Sequence, residues 1–248
     1  MTVVFVHGNP ETDAVWRPLL GELRRDDVVC LSPPGFGAPV PDGFGATYLE
    51  YRDWLVGELE RFDAPVDLVG HDWGGGHVMN VVMSRPDLLR SWVTDVIGIY
   101  EPEYVWHDLA QVWQQPGAGE QLVDRMMTMP AEQWVDRYVR LGVSREVAEG
   151  MAAGRGAAMA RCILALYRSA AQPVLRELGE RLPVAAARPG LAVLAAEDHY
   201  VGSDEMRRRA AARAGAQLAV LDGLGHWWMV EDPARAARLL TDFWSSVS

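Results

Sequence analysis

The chain of 248 residues is 49% hydrophobic and 23% charged, as is ordinary for a globular protein with one sizeable buried core. Its formal net charge of −11 argues against nucleic acid or an anionic membrane as a partner, because both attract basic surfaces. The two cysteines, Cys30 and Cys162, show no metal-ligand spacing. With no secretion signal and no apolar run long enough to cross a membrane, we expect a cytoplasmic protein without a metal or cofactor.

Short apolar runs bounded by Gly, Pro or Asp predict buried strands, and amphipathic stretches between them predict helices. In chain order, the predicted strands are residues 2–6, 28–31, 66–69, 92–97, 191–195 and 217–221. The predicted helices among and after them are residues 48–62, 77–84, 204–214 and 232–246. This alternation predicts an α/β fold whose mostly parallel sheet is covered by helices on both faces.

Residues 100–182 interrupt this alternation, and we refer to them as the insertion. They contain few strand-like runs and are rich in Met, Trp, Ala and helix formers, with predicted helices at 120–127, 131–141, 145–153 and 157–170. We expect the insertion to form a helical lid over a core domain made of residues 1–99 and 183–248.

The clearest chemical signal is Gly-His-Asp-Trp-Gly at residues 70–74, directly after a predicted strand and before a predicted helix. This is the strand-turn-helix pattern that presents a nucleophile, with Asp72 at the position usually held by serine. A carboxylate with an ordinary pKa near 3.9 is already ionised at neutral pH and needs no base to attack. The structural alternative is a glycine-rich turn in which Asp72 only caps the helix.

Two later loops supply candidates for the other members of a catalytic triad. His226 follows the last predicted strand and is the candidate general base, and Asp198 follows the strand before it and is placed to orient the imidazole. The order nucleophile, acid, base is typical of enzymes with this elbow pattern. Asp95, after an earlier strand, is the alternative acid.

An aspartate nucleophile restricts the chemistry. Its attack on an ordinary ester would give an anhydride, whereas attack on an electrophilic saturated carbon gives a stable alkyl ester. Water activated by His226 would then attack the carboxyl carbon of Asp72. The turn His7-Gly8-Asn9-Pro10 after the first strand is predicted to supply a backbone N–H to an oxyanion hole, paired with the N–H of Trp73.

From the His-Gly-Asn-Pro turn through the elbow to Gly225-His226-Trp227, the chain resembles the epoxide hydrolases and haloalkane dehalogenases of the α/β-hydrolase superfamily. This resemblance implies an α/β-hydrolase fold, here lacking the usual first N-terminal strands. In the dehalogenases, side-chain N–H groups at the positions of Asn9 and Trp73 hold the leaving halide. In the epoxide hydrolases, lid tyrosines protonate the opened ring, and Tyr167 matches one of them. The second has no clear counterpart, which leaves Tyr100, Tyr104 or His107 as substitutes.

The predicted substrate pocket is aromatic, with Trp106, His107 and Trp113 from the insertion and Trp227 beside the base. We therefore expect a small apolar electrophile and water as the reactants, and a monomer or homodimer. Epoxide opening is the first hypothesis and haloalkane dehalogenation the second. Further alternatives are a lyase or isomerase that shuttles protons between Asp72 and His226, and a binding protein that has lost turnover.

Overall fold

The computed structural model describes residues 2–247, in which six parallel strands form one sheet in the order β2-β1-β3-β4-β5-β6. The strands are β1 (Val3–Val6), β2 (Val28–Leu31), β3 (Val66–Gly70), β4 (Leu89–Thr94), β5 (Gly190–Ala195) and β6 (Gln217–Leu221). All residues of β1, β3 and β5 are buried, as expected for a parallel sheet covered on both faces. The predicted parallel architecture is confirmed, and no antiparallel strand occurs between residues 2 and 247.

Seven helices accompany the sheet within the described residues. They are α1 (Arg17–Leu23), α2 (Tyr48–Leu59), α3 (Trp73–Val82), α10 (Asp204–Arg213), α11 (Trp228–Glu231) and α12 (Pro233–Ser246), with α9 (Val174–Gly179) leading back towards β5. Five further helices fill the middle of the insertion, namely α4 (Asp108–Gln114), α5 (Ala118–Thr128), α6 (Ala131–Arg140), α7 (Arg145–Ala153) and α8 (Ala157–Ser169). No helix in this part of the chain is long and apolar enough to span a bilayer.

Two element predictions were wrong in their bounds. The fourth strand, predicted at 92–97, is Leu89–Thr94, because the chain leaves the sheet there and turns into a short 3-10 helix at Ile97–Tyr100. The apolar residues 96 and 97 are buried against neighbouring elements rather than in the sheet. The helix predicted at 77–84 begins earlier, at Trp73. The prediction omitted its first turn because three glycines, which are weak helix formers, occupy it.

The helices of the insertion, which follows β4 and precedes β5 in the chain, pack in two groups. α8 lies against α4 and α5, and α6 lies against α7. The side chains of Trp113 and Trp134 are fully buried there. α7 also contacts the short 3-10 helix Asp13–Trp16 that follows the turn after β1. This part of the insertion therefore lies beside the turn that follows the carboxyl end of β1.

Candidate active site

Asp72 occupies a strained turn between β3 and α3. Its backbone has φ of 50° and ψ of −127°, a conformation that costs a non-glycine residue about 1–3 kcal/mol. Two glycines allow this turn to pack closely: a Cβ on Gly8 would overlap the carboxylate of Asp72, and one on Gly74 would overlap the carbonyl of Val6. The sequence pattern thus corresponds to a real elbow that projects one carboxylate from the end of the sheet.

The two oxygens of Asp72 have different surroundings. Oδ1 accepts a hydrogen bond from the backbone N–H of Asn9 at 2.8 Å, whereas Oδ2 lies 3.6 Å from Nε2 of His226. Burial raises the pKa of Asp72 to about 6, and the nearby His226 opposes this rise. The carboxyl group is therefore mostly ionised at neutral pH, although less completely than its ordinary pKa predicts.

His226 and Asp198 form a close pair on the loops after β6 and β5. Nδ1 of His226 lies 2.8 Å from Oδ2 of Asp198, and the backbone N–H of Tyr200 donates to the other oxygen of Asp198 at 2.8 Å. Burial works against a charge on His226, but Asp198 and Asp72 outweigh it and raise the imidazole pKa to about 9. At neutral pH His226 is thus an imidazolium between two carboxylates.

Asp95, the alternative acid, is directed elsewhere. Its Oδ2 lies 2.6 Å from Nδ1 of His71 and accepts a hydrogen bond from the indole of Trp228 at 2.8 Å. Its Oδ1 accepts the backbone N–H of Asp72 at 3.1 Å. Of the two candidate acids, the structure places Asp198 against His226 and Asp95 against His71, so the alternative assignment was wrong in its geometry.

His71 and Glu11 complete a second buried group beside His226. Nε2 of His71 lies 3.2 Å from Glu11 Oε1, and the rings of His71 and His226 are 4.7 Å apart. Glu11 also accepts hydrogen bonds from the Gly8 backbone N–H at 3.1 Å and the Trp227 indole at 2.6 Å. Burial opposes both charges, but each stabilises the other, so the pKa of Glu11 falls to about 2 and that of His71 rises well above its usual value.

Glu11, His71 and His226 also bring possible metal-ligand atoms within 4.8 Å of one another. A protonated His71 between two carboxylates offers no lone pair to a cation. The set therefore fits an ion-pair network better than a metal centre.

Two cavities adjoin Asp72 beneath the insertion. The larger has a volume of about 70 Å³ and the smaller about 20 Å³. The larger is lined by Asn9, Pro10, Asp72, His107, Leu109, Trp113, Arg137, Tyr138, Leu141, Tyr167, Tyr200, His226 and Trp227. The smaller is lined by Asp72, Trp73, Val96, Ile99, Tyr104, Trp106, His107, Tyr167, Tyr200 and Val201. All four residues predicted to form the pocket thus border one or both cavities.

Tyr167 is surrounded by aromatic rings and faces both cavities. Its ring packs edge-on against Trp73 at 5.1 Å and lies 4.6 Å from Trp113. Burial raises the pKa of its phenol well above the usual value, while the side chains of Trp73 and Asn9 act in the opposite direction. Both amide atoms of Asn9 are buried without a hydrogen bond from residues 2–247. A protonated phenol, an indole and an unpaired amide therefore meet near the Asp72 carboxylate.

Of the three suggested substitutes for the second tyrosine, Tyr100 lines neither cavity, whereas Tyr104 and His107 line one or both but already form hydrogen bonds. The Tyr100 hydroxyl bonds to Tyr48 and to the carbonyl of Gly76, behind α3. Tyr104 donates to the carbonyl of Tyr200 at 2.8 Å. His107 caps α4 by accepting the N–H of Ala110, and burial lowers its pKa to about 4, so it is neutral.

Sequence reasoning missed three residues of this site. Tyr138, on α6, lines the larger cavity, and within residues 2–247 its hydroxyl forms no hydrogen bond. The sequence feature that could have identified Tyr138 is its position four residues after Trp134, on the same face of a predicted helix. Glu11 directly follows the His-Gly-Asn-Pro turn, and Tyr200 follows Asp198 by two residues. Both lie next to recognised motifs, but nothing in the spacing shows where their side chains point.

Comparisons with known proteins agree with this architecture. Residues 3–239 match a model of the Alpha/beta hydrolase family. Among solved structures, the haloalkane dehalogenase DbeA from Bradyrhizobium elkani USDA94 superposes with a TM-score of 0.75 over 99% of this chain and 90% of that one, at 18% identity. An identity this low supports a shared fold and nothing finer.

The curated relatives include both activities suggested by the motifs. An epoxide hydrolase of Caballeronia sordidicola is 30% identical over 94 residues, covering 36% of this chain and 29% of that protein. A haloalkane dehalogenase of Mesorhizobium japonicum is 24% identical over 221 residues, covering 80% of this chain and 63% of that protein. The matches thus span less than two thirds of either relative's length. Together with the six-stranded parallel sheet and its helices, the match over residues 3–239 shows that the chain has the α/β-hydrolase fold and belongs to the Alpha/beta hydrolase family.

Proposed function

We propose that this chain hydrolyses an epoxide to a diol through a covalent alkyl ester on Asp72, which water activated by His226 then cleaves. In this proposal the insertion (residues 100–182) is a lid, and residues 1–99 and 183–248 form the core domain that carries the triad. The observation that carries the proposal is that the Tyr167 phenol and the Asp72 carboxylate border the same cavity.

In the first half-reaction, Oδ2 of Asp72 attacks an epoxide carbon, because Oδ1 already accepts the N–H of Asn9. The carbon–oxygen bond of the ring breaks and its electron pair goes to the oxygen. Tyr167 donates its proton to this alkoxide, which is a stronger base than a phenolate. The high pKa of Tyr167, caused by burial, keeps the proton in place until the alkoxide forms.

In the second half-reaction, esterification has removed the charge of Asp72, one of the two carboxylates that raise the pKa of His226. The His226 imidazolium first gives its proton to the Tyr167 phenolate. The neutral imidazole then takes a proton from water, and the water oxygen attacks the Asp72 carboxyl carbon. The backbone N–H groups of Asn9 and Trp73 stabilise the resulting oxyanion. The bond between the Asp72 carboxyl carbon and the substrate oxygen then breaks, and the departing alkoxide takes a proton from the His226 imidazolium. The neutral diol leaves, and the Asp72 carboxyl group gives its proton to the imidazole, which restores the starting charges.

A second candidate, haloalkane dehalogenation, is favoured by the unpaired amide of Asn9. The amide is buried near the Trp73 indole, and two N–H groups of this kind suit a leaving halide. A halide leaves as a stable anion and needs no proton, so this reaction would make no use of Tyr167. The identity of the leaving group therefore separates the two candidates.

The nucleophile is tested by trapping. A His226→Gln variant incubated with styrene oxide or 1,2-dibromoethane should accumulate an adduct on Asp72, detected by peptide mass spectrometry. A single turnover of the unaltered chain in ¹⁸O-labelled water should place the label in Asp72 and leave the diol unlabelled. Label in the diol without an adduct would instead indicate direct attack of water on the epoxide. Neither diol nor adduct with any substrate would favour a lyase, an isomerase or a binding protein.

The leaving group is tested at Tyr167. We expect Tyr167→Phe to slow ester formation from the epoxide by more than tenfold, about 1.4 kcal/mol of barrier, and to leave halide displacement unchanged. Tyr51→Phe is the control, because the Tyr51 hydroxyl is buried on the carbonyl of Pro34, away from the cavities. Halide release without diol formation in the unaltered chain would reverse the ranking.

A further inference from the structure

Arg137, on α6, is the one arginine among the residues that line the larger cavity. Its side chain is exposed and forms no ion pair or hydrogen bond within residues 2–247. Other arginines of the insertion are satisfied: Arg145 binds Glu132 at 2.8 Å and Asp136 at 2.7 Å, and Arg168 binds Glu120 at 2.8 Å. The chain has 34 acidic and 23 basic residues, so the lack of an ion pair at Arg137 does not reflect a lack of carboxylates.

The other charged groups on this cavity are already compensated. His226 lies between Asp198 and Asp72, and burial keeps His107 neutral. Burial raises the pKa of the neighbouring Tyr138 phenol, and the positive charge of Arg137 opposes this rise. Arg137 is therefore the uncompensated positive charge of a cavity whose reacting carboxylate lies elsewhere on the wall.

We propose that Arg137 binds a carboxylate at the end of the substrate remote from the reactive carbon. This inference rests on the proposed function and narrows it to short epoxy-carboxylates rather than purely apolar epoxides. A guanidinium matches the two oxygens of a carboxylate with paired N–H donors. Asp72 and Arg137 both line this cavity, so the smallest substrates that contact both are short, and repulsion from Asp72 keeps the anion at the far end.

The test compares two substrates that differ only in charge, 3,4-epoxybutanoate and 3,4-epoxybutanamide. The unaltered chain should show the lower KM for the carboxylate. Arg137→Gln should raise that KM about fivefold, the range of a partly exposed ion pair, while kcat and the KM of the amide stay unchanged. Arg137→Lys should fall between the two. Arg140→Gln is the control, because Arg140 is exposed on the same helix and does not line the cavity.

Equal KM values for the two substrates in the unaltered chain, or an equal change for both in Arg137→Gln, would overturn the inference and leave epoxide hydrolysis standing. If neither epoxide reacts and no Asp72 adduct forms, the proposed function fails instead. In that case calorimetry with the inert product 3,4-dihydroxybutanoate and its amide decides the subsite. Binding of the carboxylate that is lost in Arg137→Gln supports it, and equal binding of both compounds refutes it.

Discussion

Two histidine–aspartate pairs lie side by side in this protein, and they differ in what faces the second ring nitrogen. In each, Nδ1 of the histidine meets an aspartate that follows the neighbouring strand: Asp198 after β5 pairs with His226 after β6, and Asp95 after β4 pairs with His71 after β3. The Nε2 of His226 faces the Asp72 carboxylate beside a cavity.

The Nε2 of His71 faces Glu11 instead, and both side chains are fully buried. The two anions hold the pKa of His71 well above its usual value. In the proposed mechanism, by contrast, His226 loses one of its two anions when Asp72 is esterified. If the proposed mechanism holds, the same local pair serves structure in one place and chemistry in the other. The two pairs differ in whether a cavity reaches them and in whether the group facing Nε2 can change its charge.

The largest expected effect comes from removing the carboxylate of the accessible pair. Asp198→Asn should lower kcat by about 10²- to 10⁴-fold, because His226 loses the partner that orients it and stabilises its charge. Asp95→Asn is the matched change in the buried pair. We expect it to lower the melting temperature while kcat per folded molecule changes less than tenfold. Equal losses of kcat in steady-state assays would contradict the division of roles between the pairs.

Removing the buried histidine should act on stability rather than on chemistry. His71→Phe leaves Glu11 and Asp95 buried without a counter-charge, and we expect it to lower the free energy of unfolding by about 3–5 kcal/mol. The control is His77→Phe: His77 is also buried, but both its nitrogens lack a partner within residues 2–247, and its ring stacks on Tyr51. Chemical denaturation measures both. A smaller loss in His71→Phe than in His77→Phe would show that the network contributes no stability.

The smallest effect is a pH dependence that separates the two half-reactions. Ester formation needs ionised Asp72, so its rate should fall about tenfold per pH unit below the pKa of about 6. Ester hydrolysis needs neutral His226, and its rate should rise with pH through a pKa below 9, because the ester no longer supports the imidazolium. Quenched-flow mass spectrometry of the Asp72 peptide measures the two limbs. A rate of ester formation that is constant from pH 5 to 8 would exclude this role for the Asp72 charge.

The elbow could be predicted from sequence because it is local: a buried strand, two glycines and Asp72 fall within a few residues. The partner of His226 was predicted as Asp198 from chain order, but Asp95 had to remain as an alternative, because both aspartates follow apolar strands and have the same local appearance. The order of strands in the sheet decides between them, since β5 lies beside β6 and β4 beside β3.

Charged groups that act across the fold were the hardest to predict. Glu11 meets Trp227, which lies more than two hundred residues away in sequence, and no spacing rule connects them. Tyr138 and Arg137 are adjacent on α6, and a helical pattern alone does not show that both border the cavity. The aromatic pocket residues could be predicted because the insertion is rich in tryptophan, and large apolar side chains are buried on folding. Trp106 and Trp113 are buried beside the two cavities.

The backbone of Asp72 carries one more consequence. Its positive φ suits glycine better than any side chain, and burial raises the pKa of its carboxyl group, so that keeping the group charged at neutral pH reduces the stability of the fold. A chain with glycine at position 72 would escape both costs and should tolerate more heat than the natural sequence. Selection for thermal robustness alone would therefore favour loss of the proposed nucleophile, so any engineering screen for heat resistance needs turnover as a second criterion.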